Sequence, residues 1–253
     1  MVAGTDGLVN VLAEVVRWLS DATRWSGTNG IPARLLEHIG YSIGATVIAM
    51  VIALPLAFWI GHTGRGGTLA VNVANVGRAI PTFGLILGAF VVFGLNLIPV
   101  YIALVLLAIP PILTNAYVGI REVDAEVREA AEGMGMTGAQ VLARVEIPVA
   151  MPLIMTGIRT SAVQVVATAT LAAFVGLGGL GRYLIDGLAQ GVQFNVAARS
   201  MVIVGAALVA LLAVLTEFLL DQLERIVVSS ALHRERALGP AEPAESSNAP
   251  IVT

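Results

Sequence analysis

Between two long apolar runs lies a polar stretch that opens Glu129-Ala130-Ala131-Glu132-Gly133-Met134-Gly135 and closes Arg144-Val145-Glu146-Ile147-Pro148. It holds carboxylates, a guanidinium and an amide but neither His nor Cys, so the chemistry open to it is docking and ion pairing with another protein rather than bond making or metal binding. Gly135 reaches φ > 0 at little steric cost. That predicts a first short helix beginning at Glu129 and running through Glu132, a bend, and a second helix from about Thr137 to Val145 that Pro148 stops. On the second helix Met136, Gln140, Ala143 and Ile147 recur at steps of three and four, with Arg144 and Glu146 elsewhere on its surface.

Other residue types invite chemistry and are weighed against plainer roles. Arg159 stands roughly 16 Å along a helix from Pro148. There it is either an intramembrane functional residue, with Glu217 as the carboxylate nearest in depth, or an interfacial clamp on carbonyls. Gln164 lies in the same run. Gly176-Leu177-Gly178-Gly179-Leu180-Gly181 satisfies a dinucleotide-binding pattern but follows a helical run with no βαβ unit, so it reads as a flexible loop. His38, His62 and His233 are scattered without ligand spacing. There is no Lys among the 14 cationic side chains, which removes the phosphate-binding loop that needs one.

The elements that must position these residues are apolar. Of 253 residues 57% are hydrophobic and 12% charged, about half the charge of an ordinary soluble domain; the chain reads as an all-α polytopic membrane protein. A net charge of −3 favours neither nucleic acid nor a polybasic membrane-surface module. With no Cys there are no disulfides, thiolate metal sites or lipoprotein anchor. The N-terminus lacks a basic region followed by a clean apolar one, so the expectation is an uncleaved chain whose first span acts as its own signal.

In order, residues 1–34 form an external or interfacial segment. Glu14, Arg17, Asp21 and Arg24 suit an amphipathic helix with Trp18 and Trp25 at headgroup level, or a helix packed on protein. Spans are expected at about 41–60, 69–94, 100–120, 149–175 and 196–220, each about long enough for a ~30 Å hydrocarbon core. Pro55 kinks the first. The second is broken at Pro81 after Asn72, Asn75 and Arg78, making Pro81 a candidate edge of a pathway, while Arg78 snorkels at an aqueous end. Gly84 and Gly88 would admit a close helix. Pro110-Pro111 breaks the third span, and residues 121–148 are the polar connector. Residues 176–195 form a loop or re-entrant piece, and 226–253 the end of a basic helix and a tail rich in Ala, Pro, Glu and Ser, read as disordered.

At the polar connector the spacing Glu129-Ala130-Ala131, then Gly135, then Val145-x-Ile147-Pro148, resembles the cytoplasmic coupling loop of ATP-binding-cassette (ABC) importer permeases of the MetI-like type. Val145 and Ile147 stand where that family usually has Ile and Leu. Ala74-Asn75-Val76-Gly77-Arg78-Ala79-Ile80-Pro81, Gly133-Met134-Gly135-Met136-Thr137 and Thr156-Gly157-Ile158-Arg159-Thr160 are similar to permeases of osmoprotectant importers for glycine betaine, choline, carnitine or proline. The resemblance covers about residues 35 to 230.

The resemblance implies five core spans and a cytoplasmic coupling helix pair in a multi-pass protein of the bacterial plasma membrane. The N-terminus is then outside and the C-terminus cytoplasmic; seven Arg inside against five outside lean the same way. Partners implied are two ATP-binding subunits, a sister permease or second copy of itself, and an external substrate-binding protein. ATP and magnesium then belong to the partner ATPase, and this chain holds no cofactor and is no enzyme. Glu129, Ala130, Ala131, Gly135, Gln140, Arg144, Ile147 and Pro148 become ATPase-coupling residues. Pro81, Phe83, Arg159, Gln164, Gly176, Gly178 and Gly179 become candidates for pathway or gating. Phe83, Phe90 and Phe174 could offer a weak cation–π surface, although packing is their ordinary role.

Because the composition of the tail cannot build a core, deleting residues 240–253 is expected to leave uptake nearly intact. Lost uptake at normal membrane levels would assign the tail a specific role.

Overall fold

The computed structural model describes residues 5–68, 72 and 81–228, and all regular structure among them is helical. In chain order the helices are α1 (Thr5–Ser20), α2 (Ile31–Thr63), α3 (Thr82–Phe93), α4 (Ile98–Arg121), α5 (Ala125–Gly133), α6 (Gly138–Val141), α7 (Ile147–Thr168), α8 (Gly181–Ala189) and α9 (Val196–Val227). A 3₁₀ turn, Ala169–Val175, extends α7. Four stretches are long and apolar enough to cross a membrane: Ile31–Thr63, Ile98–Arg121, Gly138–Val175 and Val196–Val227. Thr82–Phe93 is a shorter apolar helix. Asn75, Arg78, His233 and the tail lie outside the described residues.

In lipid there is little hydrophobic drive between helices, so close packing of small side chains has to hold them. On α2, Ala45, Ala49, Ala53 and Ala57 form a fully buried stripe at steps of four. It belongs to one core with Leu104, Ala108, Ile112 and Ala116 of α4 and Ile154, Ile158 and Val165 of α7. Gly157 lets α7 approach closest: a Cβ there would lie 2.8 Å from the Pro111 carbonyl oxygen and 2.9 Å from Asn115 Cβ. The expected close approach at Gly84 and Gly88 is not met within the described chain. A Cβ on Gly88 meets nothing within 4 Å, and one on Gly84 meets just Pro81.

The proline pair of α4 acts differently from expectation. Pro110-Pro111 does not break α4, which is helical from Ile98 to Arg121. Thr114 Oγ1 donates to the Pro110 carbonyl and Asn115 Nδ2 to that of Pro111, both at 2.8 Å. Ser161 of α7 adds a bond to the Ala108 carbonyl, also at 2.8 Å. These bonds hold the turns on either side of the proline pair, within α4 and across to α7. Pro55 sits inside α2, as expected of a proline that a membrane helix tolerates. Pro81 is where α3 starts, as its N-cap.

A second, smaller core gathers Trp18, Ile31, Leu180, Tyr183, Val204 and Val209. Trp18 meets Tyr183 edge to face at 5.7 Å and carries the Arg24 guanidinium 4.8 Å from its ring centre. Of the two roles open to α1, packing on protein is therefore realised at Trp18, which is buried. Trp25 is exposed, and its indole N–H donates to the Leu19 carbonyl at 2.7 Å. The stretch 176–195, expected as a loop or re-entrant piece, contains helix α8, whose nine residues are too few to give a long periodic signal. Gly187 and Gly205 seat it on α9, since a Cβ at either would meet Val202 or Tyr183 inside 3 Å.

Gly157→Leu is expected to lower the melting temperature of the detergent-solubilised protein by overpacking the α4–α7 contact, at a cost of about 1–3 kcal/mol. Gly88→Ala, with open space around it, is expected to leave the temperature unchanged or raise it.

Candidate functional site

The connector folds as two short helices outside the apolar bundle. Asp124 caps α5 by accepting from the Glu126 amide at 2.9 Å. The helix begins at Ala125, so Glu129 lies mid-helix rather than at its start, and Asp124 and Glu126 hold the dipole position. Gly135 takes φ 85°; its amide and that of Met136 bond back to the Glu132 and Ala131 carbonyls at 2.8 and 3.2 Å, closing α5. Thr137 and Gln140 then form a reciprocal capping box that starts α6, the Thr137 amide donating to Gln140 Oε1 at 2.8 Å. Gln140 is thus partly committed to the fold of the connector itself.

Pro148 does not stop this second helix. A π-turn, Leu142–Glu146, bonds the Ile147 amide to the Leu142 carbonyl and leads straight into α7, with Pro148 in its first turn. Pro148 follows directly on this π-turn, whose bonding already departs from the i→i−4 pattern that an interior proline interrupts. The wider turn also turns Glu146 inward, correcting its expected place on the surface. Glu146 is 1% exposed. Its Oε2 lies 2.7 Å from His62 Nδ1 of α2, and its Oε1 lies 3.1 Å from Arg128 Nε of α5, close enough for an ion pair although that N–H finds no aligned hydrogen bond. Arg128 also donates to the Ile120 carbonyl at the end of α4. Neither His62 nor Arg128 carried a motif. A polar residue at the end of an apolar helix was the sole sequence signal.

Around this anchor the connector presents one face outward. Glu129, Ala130, Gly135 and Arg144 are exposed, as are Met134 and Val127, while Ala131 and Val141 turn inward and Ile147 is half-buried. The connector thus turns acid, guanidinium and methyl groups outward over an inward face of small apolar residues, as an amphipathic helix lying on protein does.

Arg159 reaches α9, where Glu217, Asp221 and Glu224 surround it at 3.4, 3.2 and 3.6 Å. Glu217 was the carboxylate expected; the other two lie beyond the expected end of that span, because α9 continues to Val227. Gln164 is exposed on α7.

At the other end of the bundle the glycine loop is held, not flexible. Gly176 and Gly179 adopt φ 79° and 86°. Glu37 Oε2 accepts from the Gly179 amide at 2.8 Å and His38 Nδ1 from that of Leu180 at 3.3 Å. His38 Nε2 then carries the proton and donates to the Val166 carbonyl at 2.9 Å. Gly178 lies so close to Glu37 that no Cβ fits. Phe83 and Phe174 are half-exposed and meet edge to face at 5.0 Å, whereas Phe90 packs on the core. Among the described residues no three metal-ligating side chains gather.

Helices long and apolar enough to cross a membrane, joined by a folded polar connector, define a polytopic membrane protein. Residues 20–228 match the family described as the binding-protein-dependent transport system inner membrane component, and the chain belongs to it. It is 34% identical over 203 residues to the carnitine transport permease protein OpuCB of Listeria monocytogenes, covering 80% of this chain and 90% of the relative. It is 33% identical over 213 residues to the choline transport system permease protein OpuBB of Bacillus subtilis, covering 83% and 95%. Against the osmoprotectant import permease protein OsmW of Salmonella typhimurium the figures are 31% over 201 residues, 78% and 91%.

In fold the chain is similar to the inward-facing MetNI methionine ABC transporter, with a TM-score of 0.66 and 21% identity, covering 83% of this chain and all of that one. An amino acid ABC transporter solved with histidines gives 0.58 and 21%, covering 89% and 99%. The chain is therefore an inner-membrane permease component of an ABC transport system, in which ATP hydrolysis lies in separate subunits and a substrate-binding protein takes part.

Removing the capping hydroxyl by Thr137→Ala is expected to destabilise α6 locally by about 1 kcal/mol. Faster hydrogen exchange at the Gln140 and Val141 amides, with the bundle unchanged, is the readout.

Proposed function

We propose that the chain is the transmembrane permease subunit of an ATP-driven importer of compatible solutes. The substrate class is quaternary ammonium osmoprotectants such as glycine betaine, choline or carnitine, or proline. The observation that carries the substrate class is the identity of 31–34% with carnitine, choline and osmoprotectant permeases over most of both chains. A second copy of this chain or a sister permease completes the pathway, and two ATP-binding subunits dock on the connector. The N-terminus is outside and the C-terminus cytoplasmic. No cofactor is held here; ATP and magnesium act in the partner.

On this reading Glu129, Ala130, Ala131, Gly135, Gln140, Arg144, Ile147 and Pro148 form or shape the coupling surface. Closure of the two ATPase subunits displaces it, and the spans rock to open the pathway outward and inward in turn. The permease need only differ in substrate affinity between those states. Selection of the cation falls mainly to an aromatic cage in the external binding protein. Pro81, Phe83, Gln164, Gly176, Gly178 and Gly179 border the pathway, and Arg159 braces α7 against α9 as it moves. The spans lie within residues 35–225, between an external segment 1–34 and a cytoplasmic end 226–253.

A second reading keeps the architecture and changes the cargo to an amino acid or other small solute, since the coupling loop is shared across the architecture. Competition of glycine betaine, choline, carnitine, proline and other amino acids for the purified binding protein separates the two. An autonomous channel or ion-driven transporter is the remaining class. Uptake by this chain alone in liposomes, driven by an ion gradient without ATPase, would establish it and sink the proposal.

Glu129→Arg and Gly135→Val are expected to uncouple rather than unfold. Glu129 is exposed and its reversal adds repulsion at the docking contact. A Cβ on Gly135 meets nothing within 4 Å, so the cost of Val there is the φ of 85°, which a β-branched residue resists and which would re-aim α6. Membrane insertion and permease self-association should stay normal while ATPase co-purification and substrate-stimulated hydrolysis fall. Unchanged docking and stimulated turnover in both variants would remove the connector as coupling element.

A further inference from the structure

Among the described residues Glu146 is the one Asp, Glu or Arg in the buried class. A buried carboxylate is costly unless partners meet it, and here they come from separate parts of the chain: Arg128 from the first connector helix and His62 from the last turn of α2, 84 residues away in sequence. The contacts around His62 are tight. A Cβ on Gly138, the first residue of α6, would lie 3.2 Å from His62 Nε2, and one on Gly61 would lie 2.7 Å from Ile120 Cβ. Gly64 closes α2 in the left-handed region, where a Cβ would be 3.2 Å from Arg121 Nη1. The end of α2 is therefore wedged between the connector on one side and the end of α4 on the other. Arg128, bonded to the Ile120 carbonyl, closes the circuit.

We propose that Glu146, with His62 and Arg128, is a positioning joint that passes displacement of the connector helices to the end of α2 as well as to α7, which follows them in the chain. The inference rests on the functional reading above and adds a route to it. Covalent continuity through the π-turn carries motion into α7 without help. Helix α2 has no such link and is reached across the chain through His62. Since the Ala45–Ala57 stripe locks α2 into the core with α4, a push at His62 moves those helices together. Small displacements pass through packed helices as rigid shifts rather than dissipating.

The test uses the whole complex of permease, ATPase and binding protein in proteoliposomes, reading solute transported per ATP hydrolysed. His62→Leu removes the link to α2 and leaves the Glu146–Arg128 pair; His62→Asn restores an amide nitrogen near the place of Nδ1. His62→Leu is expected to lower the ratio about tenfold, with ATPase docking and basal hydrolysis retained, and His62→Asn to return it to within about twofold of the native complex, as coupling energies of ordinary size predict. Glu146→Gln should match His62→Leu; should it fail to reach the membrane, the two His62 variants decide. An unchanged ratio in His62→Leu overturns the joint. So does an equal loss in Leu and Asn variants that tracks a fall in melting temperature, since His62 is then mere packing. Uptake by the native complex that needs no ATP overturns the functional reading, and the joint with it.

Discussion

The structure depends on close approach of helices in a medium that does not push them together. Lipid is as apolar as leucine, so α2, α4 and α7 are held by surface fit, through the Ala45–Ala57 stripe and the notch at Gly157. Small side chains let backbones come near enough for Ser161 to bond the Ala108 carbonyl across the α4–α7 contact. The two consecutive prolines of α4 sit inside this packed core, and the helix runs unbroken through them.

Several polar contacts near the ends of the helices tie elements distant in sequence. Glu37 and His38, at the start of α2, hold the backbone of the glycine loop. Glu146 ties the connector to the far end of the same helix. Arg159 bridges α7 to three carboxylates of α9; part-exposed pairs of this kind add little stability singly, so their value is in fixing which faces meet. Helix α2 is thus fastened towards both ends to elements distant in sequence.

The π-turn between α6 and α7 reconciles two demands on one segment. The connector must stand outside the bundle with Glu129 and Arg144 exposed, yet join a long apolar helix without a flexible hinge. One wider turn does this. It leads unbroken into the helix holding Pro148 and turns Glu146 from solvent to core. Such insertions gather at functional positions because they change the aim of a helix without breaking it.

What the sequence determined by itself is what local chemistry decides. Long apolar runs with few charges require helices in a membrane, and the spacing from Glu129 to Pro148 marks the connector with its turn at Gly135, where glycine alone takes φ 85° cheaply. The tertiary structure decided the rest, for reasons a one-dimensional pattern does not hold. Pro110, Pro111 and Pro148 read as breakers because neither the packing that keeps a helix running past a proline pair nor the π-turn ahead of Pro148 is visible in the sequence. Glu146 read as surface because a uniform 3.6-residue period contains no π-turn. His62 and Arg128 carried no signal because their role exists only where chain segments far apart meet, and that meeting is set by the packing of α2 against α4, not by any residue nearby in sequence.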